Sequence, residues 1–219
     1  MTKVKICGLK KLEHALIATE SGADFLGFVF VEGVRRQISS IDAYEIIRQL
    51  KENYSGKLPE LVGLFANQEF SYVNQVVSQC GLDRVQLCGD EDSKYWSTIN
   101  SPIIKQVKMD VENQREDILR RIKQKVDEIR EAGHMPLLDS YERGALGGTG
   151  KTFDWSMAKL VSGNQRIILA GGLTSDNVNS AINKVQPWAV DVSSGVETDG
   201  QKDELKVRNF INNALNASK

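Results

Sequence analysis

Apolar positions along the chain fall into short runs separated by stretches of helical spacing, and the two patterns alternate throughout. Val4-Lys5-Ile6-Cys7 reads as a strand stopped at Gly8, and 11–21 then places Leu12, Ala15, Leu16 and Ala18 at helical intervals before Gly22. The run 24–31 (DFLGFVFV) is almost continuously apolar, as a parallel strand buried on both faces should be. After the polar loop 32–37, Ser40 is expected to cap a helix carrying Ile41, Tyr44, Ile47 and Leu50. The alternation continues with strands at 61–66, 83–88 and 102–107 and helices over 70–79, 92–100 and 113–130. A sixth strand is expected at 134–139 despite Pro136, then a glycine-rich loop at 144–151 and a helix from about Asp154. The last two strands, 167–170 and 189–192, end in small residues: Gly171-Gly172 after the first and Ser193-Ser194-Gly195 after the second. Each is expected to lead into a helix.

Eight such alternations predict a parallel sheet with right-handed crossovers. In 219 residues, eight units favour a closed (β/α)₈ TIM barrel of the α/β class over an open sheet, with one domain spanning 1–219. A dinucleotide fold would want G-x-G-x-x-G after an early strand, and Cys7-Gly8-Leu9-Lys10 does not supply it. Nor is 144–152 a P-loop, since Ala145 stands where its first glycine belongs. This loop is better read as a lid that closes over an anion.

A formal net charge of −1, with acids and bases interspersed, leaves no electrostatic footprint for nucleic acid or an anionic membrane. No apolar run reaches the roughly 20 residues of a membrane span, and MTKVKICGLK is no signal peptide, so a cytoplasmic protein is expected. In that reducing compartment Cys7, Cys80 and Cys88 would be free thiols. With only His14 and His134 present, a histidine-based zinc site is not expected. The charged helix faces suggest a monomer.

In a barrel of this kind the strand ends carry function. Cys7, Arg36, Cys88, Asp139 and the turns at Gly171-Gly172 and Ser193-Ser194-Gly195 would then ring one face. The two turns together form a candidate phosphate cradle, small residues exposing N–H groups near helix starts, although each alone is equally explained as a tight turn. Cys7 could be a reactive thiol or a small buried hydrophobe, and Asp139 a general acid with a raised pKa or a loop anchor. Lys5, on the same side of its strand as Cys7, is expected to pair with Asp191 inside the barrel and so tune the thiol. Arg36 could clamp a carboxylate bidentately, whereas its neighbour Arg35 reads as a solvated loop charge. Lys105 and Gln86 could line the interior as structure or as site. Cys80 reads as inert packing, His14 as a surface or interhelical residue and His134 as part of a loop.

Nine stretches in this order resemble phosphoribosylanthranilate isomerase of tryptophan biosynthesis: KICGLK (5–10), GFVF (27–30), Arg36 with Ile38-Ser39, VGLFAN (62–67), VQLCGDE (85–91), LLDS (137–140), GGTGKTFDW (147–155), LAGGLTSDNV (169–178) and VDVSSGVETDGQKD (190–203). The resemblance implies an Amadori rearrangement of a phosphosugar without metal or organic cofactor. It implies Asp139 as the general acid that opens the ribose ring, Cys7 as the base that takes the C2′ proton, Arg36 on the anthranilate carboxylate and the two turns on the phosphate. The chain departs from the family at Cys88, where histidine is usual, and at Lys10, where threonine is common. The histidine-pathway isomerase, which performs the same rearrangement with two aspartates, and a non-catalytic phosphosugar-binding barrel are the competing readings.

Overall fold

The computed structural model describes residues 1–110, 116–141, 155–163 and 166–217. Eight parallel strands close a barrel in sequence order: β1 (Lys3–Cys7), β2 (Phe25–Val29), β3 (Glu60–Phe65), β4 (Arg84–Leu87), β5 (Ile103–Asp110), β6 (Met135–Tyr141), β7 (Ile168–Leu169) and β8 (Ala189–Val192). The helices between them are α1 (Leu12–Glu20), α2 (Ser40–Asn53), α3 (Phe70–Cys80), α4 (Ser93–Trp96), α5 (Glu116–Glu131), α6 (Trp155–Ser162) and α7 (Val178–Val185), with α8 (Glu204–Asn216) last. The expected (β/α)₈ barrel is therefore the fold. The expected lid at 144–151 lies outside the described residues, as does Asp154.

Alternation along each strand sorts side chains into two cores. Val4, Ile6, Leu26, Phe28 and Val190 join the layer between barrel and helices, while Phe25, Val62, Leu64, Ile104, Leu137 and Ile168 fill the interior. Strand register decides which polar residues enter that interior. Lys5 lies opposite Asp191 where β1 meets β8, so the seam that closes the barrel carries two opposed charges. Pro136 is accommodated because the β6–β7 ladder begins one residue later, at Leu137 opposite Ile168.

Three local expectations are corrected. Ser39, not Ser40, caps α2, its hydroxyl accepting from the Asp42 amide at 3.1 Å. The helix expected over 92–100 is a single turn, capped by Asp92 through the Tyr95 amide and ended well before Asn100. No α-helix follows β8 directly: a 3₁₀ turn (Ser194–Val196) leads into a two-stranded hairpin, β9 (Glu197–Thr198) and β10 (Gln201–Lys202), before α8 begins. Of the two expectations for His14, surface or interhelical, its burial rules out the first. Cys80 is buried as expected, its thiol 3.4 Å from the Ser40 carbonyl and pushed up to about 11 by burial.

Candidate active site

The C-terminal ends of the strands enclose a cavity of about 400 Å³, lined by Cys7, Arg36, Cys88, Asp139, Gly171, Gly172, Ser193, Ser194 and Gly195 together with apolar residues from the neighbouring strands. The strand-end residues and turns singled out in the sequence thus reach one space, whereas Lys105 does not. The cavity floor is the seam. Lys5 is fully buried, and its ammonium donates to both Asp191 oxygens at 3.0 Å. Burial opposes the charge of Lys5, but Asp191 and Cys7 more than offset it and hold the lysine above its usual range. Breaking this pair one-sidedly should be costly. Lys5→Met is expected to lower stability by about 3–5 kcal/mol, because it strands a buried carboxylate. Pairing it with Asp191→Leu should recover most of that loss in urea unfolding.

Cys7 lies directly above the pair. Burial pushes its thiol up, Lys5 and Lys202 pull it down, and Asp191 works with burial. Burial wins, so the expected tuning by Lys5 moderates the thiol without making it acidic. Asp139 stands at the end of β6, its Oδ2 accepting from the Gln106 amide at 2.6 Å. Burial pushes this carboxyl up to about 6, the Asp191 charge adds to the shift, and the Gln106 hydrogen bond opposes it. Cys88 faces the same cavity, and burial holds its thiol at about 12 against a weak hydrogen bond from Gln86.

The two small-residue turns touch. A Cβ on Gly195 would clash with the Leu173 carbonyl, so only glycine lets the second turn pack this closely on the first. Gly171, where φ is +87°, packs instead against the Ser140 backbone at the end of β6. The Ser193 hydroxyl donates to the Cys7 carbonyl at 3.1 Å, which ties the second turn to β1.

Two lysines resolve as structural. Lys105, left open as structure or site, donates to Gly89 O at 2.6 Å and Glu91 Oε2 at 2.7 Å, holding the loop after β4. Lys202, unremarked in the sequence, is buried and donates to Ser193 O at 2.8 Å and Glu197 Oε1 at 3.0 Å. Gln86 lines the cavity. Arg35 is exposed, as expected of a loop charge, but its guanidinium also donates to Glu197 Oε2 at 2.6 Å. Arg36 reaches the cavity, but its Nε and Nη2 already hold the two oxygens of Glu197 at 2.7 and 3.0 Å. The carboxylate that the Nε–Nη2 edge clamps bidentately is therefore the protein's own. Glu197 lies within the family-like stretch 190–203 but was missed as a site residue, because a single glutamate beyond a strand end has no periodicity to single it out. A further signal was the Asp199-Gly200 dipeptide, a hairpin turn whose residues both have positive φ. Among the described residues no three His, Cys, Asp or Glu side chains gather as a metal would require.

A buried thiol and a raised carboxyl sharing one cavity at the C-terminal strand ends define the class of barrel enzymes equipped for acid–base chemistry. A family model described as N-(5'phosphoribosyl)anthranilate (PRA) isomerase matches residues 4–213, and the chain belongs to that family. It is 44% identical to the N-(5'-phosphoribosyl)anthranilate isomerase of Geobacter sp. (strain M21) over all of both chains. The crystal structure of phosphoribosyl anthranilate isomerase from Thermotoga maritima superposes with a TM-score of 0.85 at 40% identity, covering 99% of this chain and all of that one. A further structure of the enzyme, in complex with reduced 1-(o-carboxyphenylamino)-1-deoxyribulose 5-phosphate, matches with a TM-score of 0.81 at 35% identity over 99% of this chain and all of that one. The Thermotoga enzyme is described as dimeric. Among the described residues no helix is long and apolar enough to cross a membrane. As a member of this family the chain is an isomerase of tryptophan biosynthesis, converting N-(5'-phosphoribosyl)anthranilate into 1-(2-carboxyphenylamino)-1-deoxyribulose 5-phosphate.

Proposed function

We propose that Asp139 and Cys7 divide the rearrangement between them as acid and base. The observation that carries this reading is their shared cavity, with a carboxyl held at about 6 and a thiol flanked by two lysine charges. Asp139 accepts from Gln106 on Oδ2, and its raised carboxyl carries the proton. That proton passes to the ribose ring oxygen, the C1′–O bond breaks, and the nitrogen lone pair closes a protonated Schiff base. The Cys7 thiolate then removes the proton on C2′, the electron pair moves to give an enolamine, and tautomerisation yields the ketone. The turns at Gly171-Gly172 and Ser193-Ser194-Gly195 hold the 5′-phosphate, and Arg36 takes the anthranilate carboxylate. With its Nε–Nη2 edge engaged by Glu197, Arg36 offers the opposite edge, Nη1 with the second Nη2 hydrogen.

A fluorescence assay for consumption of phosphoribosylanthranilate tests the reading, with the histidine-pathway aminoaldose as competing substrate. Turnover of the second alone would overturn it. Cys88 has no step in this scheme, since Cys7 and Asp139 supply the base and the acid; burial holds its thiol at about 12, and the Gln86 amide is its hydrogen-bond partner. Cys88→Ser is expected to leave kcat within about threefold of the parent, and a loss matching that of Cys7→Ser would reverse the assignment. The protein acts as a cytoplasmic monomer in this reading. Its exposed large apolar residues, among them Ile41, Phe70, Leu160 and Leu205, are spread over several helices.

A further inference from the structure

The hairpin after β8 interrupts the expected passage into a helix, and its first residue gathers three cationic side chains. The Glu197 side chain is 6% exposed. Its two oxygens receive Arg36 Nε at 2.7 Å, Arg36 Nη2 at 3.0 Å, Arg35 Nη2 at 2.6 Å and Lys202 Nζ at 3.0 Å. Burial works against this carboxylate, yet Arg36, Lys202 and Arg35 hold it down at about 2, so it stays ionised throughout the neutral range. Glu197 is itself fixed. Its carbonyl accepts from Lys206 Nζ at 2.9 Å, and the neighbouring Thr198 hydroxyl donates to Asp203, the residue that caps α8, at 2.8 Å.

We propose that Glu197 is a positioning residue for substrate recognition: it grips one edge of the Arg36 guanidinium and so presents the opposite edge to the carboxylate of the substrate. A guanidinium is a planar fork with two edges that can each meet a carboxylate bidentately. An arginine in a loop, free to rotate about its side-chain torsions, would lose that freedom on binding each substrate molecule. Glu197 removes the freedom beforehand. It also prevents the Nε edge from binding the substrate in a second, misaligned pose. Arg35 and Lys202 balance the carboxylate, so that Arg36 keeps positive charge to offer the ligand. Glu197 therefore favours substrates that carry an ortho carboxylate, without touching them. This inference rests on the assignment of Arg36 to the substrate carboxylate.

The test compares inhibition constants for three ligands: the reduced product bearing the ring carboxylate, its counterpart lacking that carboxyl, and inorganic phosphate. The parent enzyme should prefer the carboxylated ligand. Glu197→Gln, which keeps the shape and removes the charge, is expected to cut that preference about tenfold while phosphate inhibition is unchanged. Glu197→Asp keeps the charge and withdraws it by one methylene, so it should lose part of the preference even if the amide variant folds poorly. Arg36→Met separates the two ideas. If Arg36→Met keeps the preference, the assignment of Arg36 itself is wrong. If Arg36→Met abolishes it while Glu197→Asp and Glu197→Gln retain it in full, Arg36 stands and the positioning role of Glu197 falls.

Discussion

Replacing Cys7 by alanine is expected to lower kcat by about 10²–10⁴-fold while inorganic phosphate still inhibits with nearly its original affinity. The loss should be in kcat because proton removal from C2′ occurs in the transition state, whereas the phosphate is held by turns that a truncated thiol does not disturb. Ser193 donates to the Cys7 backbone carbonyl, and that contact survives any change of side chain. Cys7→Ser should be nearly as inactive, since a hydroxyl in this pocket is a far weaker acid than a thiol. Turnover within about tenfold of the parent in either variant would remove Cys7 from the chemistry.

The second large effect is at Asp139, where activity and stability should move in opposite directions. Asp139→Asn is expected to reduce kcat by a similar factor, because an amide cannot deliver a proton to the ring oxygen. The sign of the stability change follows from linkage. The folded carboxyl, at about 6, lies above its ordinary value of 3.8, so its favourable contribution is fully present below pH 3.8 and is lost as pH rises through 6. Above pH 6 the folded protein therefore carries a carboxylate it would prefer protonated. The neutral amide should then raise stability at pH 7–8 by about 1–3 kcal/mol, seen as a higher urea midpoint with unchanged slope. No gain at pH 8 would mean that Asp139 titrates normally. In the parent, kcat should fall as pH drops below about 6. With the thiol pushed above its usual range, the dominant form between the two pKa values is thiol plus carboxylate. The productive form, thiolate plus carboxylic acid, is a constant small fraction of it. Protonating that carboxylate then removes activity even though the acid is needed, and using kcat excludes protonation of free substrate as the cause.

The barrel was legible because its evidence is repeated: eight apolar runs each ended by small or polar residues leave few other arrangements. Cys7, Asp139 and the two turns were legible for a related reason, since a strand end in a parallel barrel has one address. The Lys5–Asp191 pair was legible because both residues interrupt buried strands that closure makes neighbours. What escaped depends on side chains meeting across loops. Arg35 and Arg36 reach a carboxylate more than 160 residues further along the chain, at a separation of 162 and 161, on a strand of only two residues. No periodicity marks a strand that short. Lys105 was ambiguous because a buried lysine looks the same in sequence whether it binds substrate or three oxygens of its own chain.

The seam between first and last strands also sets a clock on synthesis. Lys5 leaves the ribosome well before its counter-charge, which is encoded 186 residues later. At about 5–20 residues per second, that separation keeps an unpaired lysine waiting on the order of ten to forty seconds. During that interval burying β1 would mean burying an uncompensated ammonium, so the strand gains by staying wet until Asp191 emerges. The nascent chain is thereby discouraged from sealing an incomplete barrel around fewer strands, and the thiol of Cys7 acquires its surroundings only when the last parallel strand is in place.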